Sequence, residues 1–419
     1  MDLSFTKLNS EYRSLGSGAD LRHFDEVNNI NTLAKFFVSP EGNILSGKTV
    51  TVPPEISENL ICQGFNQTGC SEDEAIKIAH SLIGANLRGH DSHGVIRFSL
   101  YIDWCKSGTV VPNQQVKILQ ENDSFLVLDG QYGFGQSIGA QTVELGIKKA
   151  LSQGVAVTSL RNSGHLGRIG EWAEQAAEAN VGSLHMVNVR GSSLVAPFGG
   201  VKPRAGTNPF CCCIPRPGRP PVVLDFATSM VAEGKARVAL NGGKPLPEGA
   251  IMDSEGNLTS DPVGLYGIKN QNGDQEFTKE PGALTVFGLH KGSGLNFFME
   301  IFGGALTGSG TAAVIDEPKR SFCNGMLSVY FAMNFFDSDN WIANEIRGYI
   351  EMYKSSTPVI SGEEVLIPGE PELKMMKKRS LSGLPLSMEV WQNILKTAED
   401  IGVDESQIQK TRRSCRINS

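Results

Sequence analysis

Two short stretches combine residue types that can move a proton beside a carboxylate. The first is His90-Asp91-Ser92-His93-Gly94, with Arg97 four residues beyond His93. Histidine exchanges a proton near neutral pH, and a guanidinium grips a carboxylate through two parallel hydrogen bonds. If a helix has begun by His93, the two side chains share one face a turn apart. That pairing suits a small 2-oxo acid. The plain alternative is a solvated His–Asp loop. His90 and His93 could also supply two zinc ligands, but no third is obvious. The second stretch, RNSGHLGRIG (161–170), places His165 between a strand and a helix. Ligands collect at the carboxyl ends of parallel strands, and a helix N-terminus favours an anion. His23, His80, His185 and His290 lack that placement and read, on spacing alone, as surface or satisfied core. A weaker signal is the glycine-bracketed turn Gly288-Leu289-His290-Lys291-Gly292-Ser293-Gly294. Glycines let backbone approach a phosphate and Lys291 can neutralise it, though plain loops have the same composition.

A dinucleotide fingerprint is missing. Gly133, Gly135 and Gly139 come closest, with the wrong spacing, and there is no P-loop. A nicotinamide cofactor, if used, therefore binds outside a Rossmann site.

The elements that must position these groups can be traced from periodicity. Ser71 and Glu74 have capping-box spacing ahead of a helix over 71–88, and a short helix is expected over about 93–105. Residues 125–128 read as a strand, followed by a helical stripe through Ala140, Val143, Ile147 and Ala150. Strand 155–160, the His165 loop, a helix through Ala173, Ala176 and Ala177, and strand 183–189 form a βαβ pattern. That pattern predicts adjacent parallel strands and a right-handed crossover. Short strands follow around 210–214 and 222–224, then a loop-like region over 254–285. A helix over 294–306, a strand over 326–333, a helix over 340–355 and an amphipathic segment over 387–402 complete the pattern.

Composition limits the function classes. The 419 residues carry a net charge of −7, with 40% hydrophobic, 20% charged and 7% aromatic residues. No basic field is available for nucleic acid or an anionic membrane. No apolar run is long enough to span a bilayer. The start lacks an apolar signal core and carries acids early, so cytoplasm is the default. The eight cysteines contain no CxxC pair. Cys211, Cys212 and Cys213 would alternate across a strand and form no single metal site; they read as small buried hydrophobes.

Ten segments, in order, resemble the type-2 malate/L-lactate dehydrogenase family: LRGHDSHGVIRF (87–98), DGQYGFGQ (129–136), RNSGHLGRIG (161–170), APFGG (196–200), GTNPF (206–210), LDFATS (224–229), LPEGAIMDSEGNLTSDP (246–262), HKGSGL (290–295), ALTGSG (305–310) and VLIPGEPE (365–372). The resemblance implies an α/β, non-Rossmann malate/L-lactate (sulfolactate) dehydrogenase-like fold with a helical substrate and dimer domain, forming homodimers. The expected divisions are an extension of unknown role (1–48), a helical domain (49–122 joined by 340–405) and an α/β cofactor domain (123–339). It implies NAD or NADP as cofactor and a small carboxylate as substrate, with no nucleic-acid or membrane partner and no metal. His93 matches the family's proton donor and His165 a second histidine that some members use as acid/base. Ser92 and Arg97 match residues near substrate. Cofactor contacts map to Pro221, Val222, Val223, Leu224, Asp225, Phe226 and Ala227, to His290 and Lys291, and to Gly369, Glu370 and Pro371; Asn188, Thr207 and Asn208 line the same cleft. The expected reaction is hydride transfer between NAD(P) and a 2-oxo/2-hydroxy acid. One alternative is NADPH-dependent reduction of a cyclic imino acid, piperideine- or pyrroline-2-carboxylate. Another is an inactive relative serving as a binding subunit. The chain departs from the pattern in the extension, in Ala250 where the family often has Trp, and in a longer loop VNVRGSSLVAPFGG that contains Arg190. A cation such as Arg190 or Lys202 near the ribose would favour NADPH.

Overall fold

Helix boundaries in the first part of the chain follow local signals. Ser71 accepts a hydrogen bond from Glu74 N at 3.3 Å, so the helix opens where the capping box predicts. The computed structural model describes residues 49–240, 245–266, 268–269, 275–276, 281–313, 322–336 and 340–418; the extension expected over 1–48 lies outside these. Residues 358–363, a bend followed by a turn, fall in a separate small unit, and the other described elements belong to the larger one.

The chain enters at strand β1 (Thr49–Val52) and continues through helices α1 (Pro54–Gln67), α2 (Glu72–Leu87) and α3 (Phe98–Ser107). Then come β2 (Lys117–Glu121), β3 (Phe125–Asp129), α4 (Gly135–Gln153), β4 (Val155–Ser163), α5 (Ile169–Glu178) and β5 (Val181–Arg190). Strands β6 (Phe210–Arg216) and β7 (Arg219–Phe226) lead to α6 (Glu233–Leu240) and α7 (His290–Met299). Strand β8 (Cys323–Ala332) and helices α8 (Trp341–Lys354) and α9 (Glu370–Ser382) follow. The remainder is β9 (Leu384–Ser387), α10 (Met388–Asp400), α11 (Glu405–Arg413) and β10 (Arg416–Asn418).

Three apolar cores organise these elements. In the first, α1–α3 pack with α10, α11 and the three-stranded sheet β9-β1-β10. Phe65 meets Phe98 and Phe134 edge-on, each at 5.5 Å. Burying a phenylalanine contributes about 1.5–3 kcal/mol, so this cluster is a main anchor of the helical part. In the second, α4 and α5 cover one face of a seven-stranded sheet ordered β2-β3-β4-β8-β5-β6-β7. A third, smaller core gathers Val195, Val231, Ala250, Ile251 and Leu284. Ala250, where the family often has Trp, is fully buried there.

The βαβ expectation needs correction. β4 and β5 run in the same direction, but β8 lies between them and pairs antiparallel with both. Local pattern cannot reveal an intruding strand from more than a hundred residues downstream. Strand pairing fixes Val187 opposite Met326 and Val157 opposite Val329. The helix expected over 294–306 begins earlier, at His290, and widens into π-helical turns over Glu300–Leu306. In the cysteine triplet, Cys211 and Cys213 are buried and Cys212 is partly exposed, as alternation requires.

Candidate active site

Between α2 and α3 the chain makes two consecutive 3-10 turns, Asp91–His93 and Val95–Arg97. His93 and Arg97 therefore do not share an α-helical face, contrary to the expectation from spacing. Asn86 sets both turns: its Oδ1 accepts Val95 N at 2.7 Å and its Nδ2 donates to Asp91 at 2.6 Å. Arg379 of α9 grips Asp91 with both terminal nitrogens, at 2.6 and 3.0 Å, and also donates to the Asn86 carbonyl. Within this brace, Ser92 Oγ lies 3.0 Å from His93 Nδ1, and Arg97 Nε donates to the Ser92 carbonyl at 2.6 Å. The carboxylate facing Arg97, Glu233, stands at 3.9 Å. Gly234 beside it has no side chain for a reason: a Cβ there would fall 2.1 Å from Ser92 Cβ.

His165 reaches the same place from the sheet. Its loop leaves β4 and is held by Asn324 of β8, whose Oδ1 accepts Leu166 N at 2.8 Å. Trp172 of α5 donates to the Leu166 carbonyl at 3.0 Å. The start of α4 comes so close that a Cβ on Gly135 would sit 2.1 Å from the His165 carbonyl oxygen. The imidazole stacks on His93 with ring centres 5.4 Å apart and planes 15° apart. Its Nδ1 lies 2.5 Å from the Tyr101 hydroxyl, which accepts from Gln136 Nε2 at 3.2 Å. Burial, then the charge of Arg97, lowers His165 to about 3. Burial, then His165 and Arg97, holds His93 well below its ordinary value. Both imidazoles are neutral at physiological pH.

The anion expected at the N-terminus of α5 is the chain's own Asp225, whose carboxylate accepts Gly170 N at 2.7 Å. Burial raises Asp225, opposed by His90 and Arg168. His90 faces Glu372 at 3.6 Å. Along the edge of β7, Val223 N donates to Pro368 O at 3.3 Å, and Gly369 turns beside Val223 with φ +91°. Glu370, one residue on, takes Lys354 at 2.7 and 2.8 Å. The structure thus brings Pro221–Ala227 and Gly369–Pro371 side by side. Asn188 and Asn208 are buried and Thr207 is partly exposed. Asn188 donates to Gly310 O at 2.9 Å, the Thr207 carbonyl accepts from Thr228, and Asn208 donates to Glu300 at 3.0 Å. His290 and Lys291 open α7; their neighbours are Phe198, edge-on to His290 at 6.1 Å, and Gly288. Among the described residues no group of three His, Cys, Asp or Glu is placed to hold a metal ion.

The sequence profile described as malate/L-lactate dehydrogenase matches residues 52–395. Hydroxycarboxylate dehydrogenase B of Escherichia coli is 38% identical over 348 residues, 82% of this chain and 92% of its own length. The solved malate dehydrogenase of Pyrococcus horikoshii superposes with a TM-score of 0.75 at 28% identity, covering 87% of this chain and 99% of its own. The solved Δ1-piperideine-2-carboxylate reductase of Pseudomonas syringae gives 0.68 at 26% identity, covering 83% and 99%. The chain belongs to the malate/L-lactate dehydrogenase family. It is an oxidoreductase that acts on a hydroxy acid.

Within this family member, sequence reasoning missed several residues of the cluster. Tyr101 lies one turn of α3 beyond Arg97, a spacing that could have drawn attention to it. Gln136 follows Gly135 directly, and only the tight approach of that glycine gives it a role. Arg379 is 288 residues from its partner Asp91, and no local signal connects them. Arg190, singled out in the longer loop, closes β5 as a buried residue beside Cys323 and Tyr132. A cavity of about 690 Å³, lined by Leu184, Val222, Leu224, Ile346 and Tyr349, lies between the sheet and α8. By strand alternation it is on the face of β7 opposite Asp225, so it is not the histidine cleft. No helix of the described residues is long and apolar enough to cross a membrane.

Proposed function

We propose that the protein is a nicotinamide-dependent dehydrogenase interconverting a small 2-oxo acid and its 2-hydroxy acid. The observation that carries this reading is the stacked His93–His165 pair beside Arg97, whose facing carboxylate, Glu233, makes only a long contact at 3.9 Å. Arg97 binds the substrate carboxylate, Ser92 orients His93, and one of the two histidines handles the proton at the C2 oxygen. A bound carboxylate also offsets the charge of Arg97, which helps to hold both histidines low.

The cofactor is NAD or NADP, held by Pro221–Ala227, Gly369–Pro371, His290 and Lys291. The residues suit such a group: the glycine-bracketed turn opening α7 lets backbone approach a phosphate, and the exposed Lys291 ammonium there can neutralise it. When bound it supplies the hydride. The helical part, 49–122 with 340–405, serves substrate binding, and 123–339 serves the cofactor. The working form is a cytoplasmic homodimer. Phe297, Phe298 and Leu306 stand exposed on α7 and its π-helical extension, an apolar face that a second copy would cover.

A second reading, reduction of a cyclic imino acid, draws support from the similarity to the piperideine-2-carboxylate reductase. Its C=N carbon accepts hydride as a ketone does, beside the same carboxylate. The test is oxidation of NADH and NADPH across pyruvate, oxaloacetate, 2-oxoglutarate, diketogulonate and the two cyclic imino acids. Turnover with a ketone supports the first reading and turnover with imines alone the second. Failure to bind either cofactor would leave an inactive binding subunit.

A further inference from the structure

The hydrogen bonds around Tyr101 have a defined direction. Gln136 Nε2 lies 3.3 Å from the His165 carbonyl oxygen and 3.2 Å from the Tyr101 hydroxyl. A carbonyl oxygen only accepts, so the amide must present its NH2 group there. The same NH2 then donates to the hydroxyl oxygen, and the one acceptor left among the described residues for the hydroxyl proton is His165 Nδ1, 2.5 Å away. Nδ1 is therefore the acceptor of the ring, and the neutral imidazole carries its proton on Nε2. Among the described residues Nε2 has no hydrogen-bond partner.

We propose that Tyr101 is the proton source behind His165: the pair forms a relay that protonates the substrate oxygen without passing through an imidazolium. This rests on the dehydrogenase reading above. As C2 takes up hydride, with two electrons from the reduced nicotinamide, the C=O π pair moves onto oxygen. That oxygen takes the Nε2 proton. The Nδ1 lone pair takes the phenol proton, and the O–H electron pair stays on Tyr101 as phenolate. The ring stays neutral with its tautomer reversed. After product leaves, a solvent proton at Nε2 and return of the Nδ1 proton to Tyr101 restore the start.

Three features support this route. His165 sits in surroundings that make an imidazolium costly, with its value lowered to about 3. Gln136 donates to the hydroxyl, the arrangement that stabilises a phenolate, and the charge of Arg97 acts the same way. Burial nonetheless raises Tyr101 to about 12, so the phenol keeps its proton until an alkoxide forms. Tyr101 touches no substrate in this scheme; it is a positioning and proton-supplying residue acting through His165.

Two measurements test the relay. The first needs no turnover: long-range 15N–1H NMR of the full chain labelled at histidine, at neutral pH. His165, assigned by loss of its signals in His165→Gln, is expected as the Nε2–H tautomer. An Nδ1–H pattern, or a protonated ring, overturns the proposal even if the enzyme is active. The second is the pH profile of Tyr101→Phe. Wild-type kcat should stay flat from pH 6 to 9, because no imidazolium is required. The variant should lose about 10²–10⁴-fold at neutral pH and recover as pH falls, since it now needs a charged His165. A flat variant profile with wild-type kcat overturns the relay. Inactivity of both proteins on every substrate, with the expected tautomer present, would instead count against the dehydrogenase reading alone.

Discussion

His185 is buried and His165 half-buried, and desolvation lowers both to about 3, yet their surroundings differ. His185 lies in the middle of β5, with Nδ1 2.8 Å from Ser328 Oγ and Nε2 3.0 Å from Ser183 Oγ. Both nitrogens are occupied by the sheet, and Tyr330 closes over the ring edge-on at 5.8 Å. His165 sits in the loop between β4 and α5, with one nitrogen taken and a second imidazole stacked on it. A displaced proton affinity is therefore no mark of function in this chain. What separates the two is that the described residues bond both nitrogens of His185 but only Nδ1 of His165, and that the charge of Arg97 acts on His165.

The sharpest way to break this contrast is to exchange each histidine for glutamine. His165→Gln should cut turnover about 10²–10⁴-fold while leaving the melting temperature nearly unchanged. His185→Gln should do the reverse, costing about 1–3 kcal/mol by leaving a buried hydroxyl unpaired, with kcat retained. Equal effects on turnover would remove the distinction. A variant at the brace blurs the contrast in a predictable way. Arg379→Met strands Asp91 and should cost about 3–5 kcal/mol in denaturant unfolding, and turnover should fall with it because the His93 turns lose their anchor. Arg97→Ala removes a charge-assisted grip and should lower kcat/KM by about 1.5–3 kcal/mol. Most of that loss should appear in KM, with cofactor affinity kept; a change in kcat alone would place Arg97 elsewhere in the reaction.

The smallest effect concerns acid stability. Unfolded His185 titrates at its ordinary 6.5, and the folded value is about 3. Below pH 6.5 the unfolded chain takes a proton that the folded one refuses, so stability falls as pH drops toward 3. One such group contributes a slope of about 1.4 kcal/mol per pH unit. His185→Gln should show a shallower decline over that window in chemical denaturation, and an unchanged slope would mean that His185 is protonated when folded.

What could be read from the sequence was local. The cap at Ser71, strand β3, the helical stripe of α4 and the loop around His165 follow from spacing. So does the alternation of Cys211 to Cys213. The parts that escaped are those set by distant chain segments: β8 inserting between β4 and β5, and Arg379 clamping Asp91. The 3-10 turns at Asp91–Arg97 escaped for a related reason. Asn86 and Arg379, not propensity, dictate them, so counting residues from His93 to Arg97 gave the right neighbours with the wrong geometry.

The pairing of β1 with β10 bears on the order of assembly. Thr49 stands opposite Asn418, and Asn418 Nδ2 donates to Thr49 and Thr51 across 369 and 367 residues of chain. During synthesis, the seven-stranded sheet can close once β8 has emerged. The helical core around Phe65 must wait for β9, α10 and β10. Long-range closures of this kind are slow, so a nascent chain would present α1–α3 with an uncovered apolar face for most of its time on the ribosome. The part of the molecule that holds His93 and Arg97 is then the last to be completed.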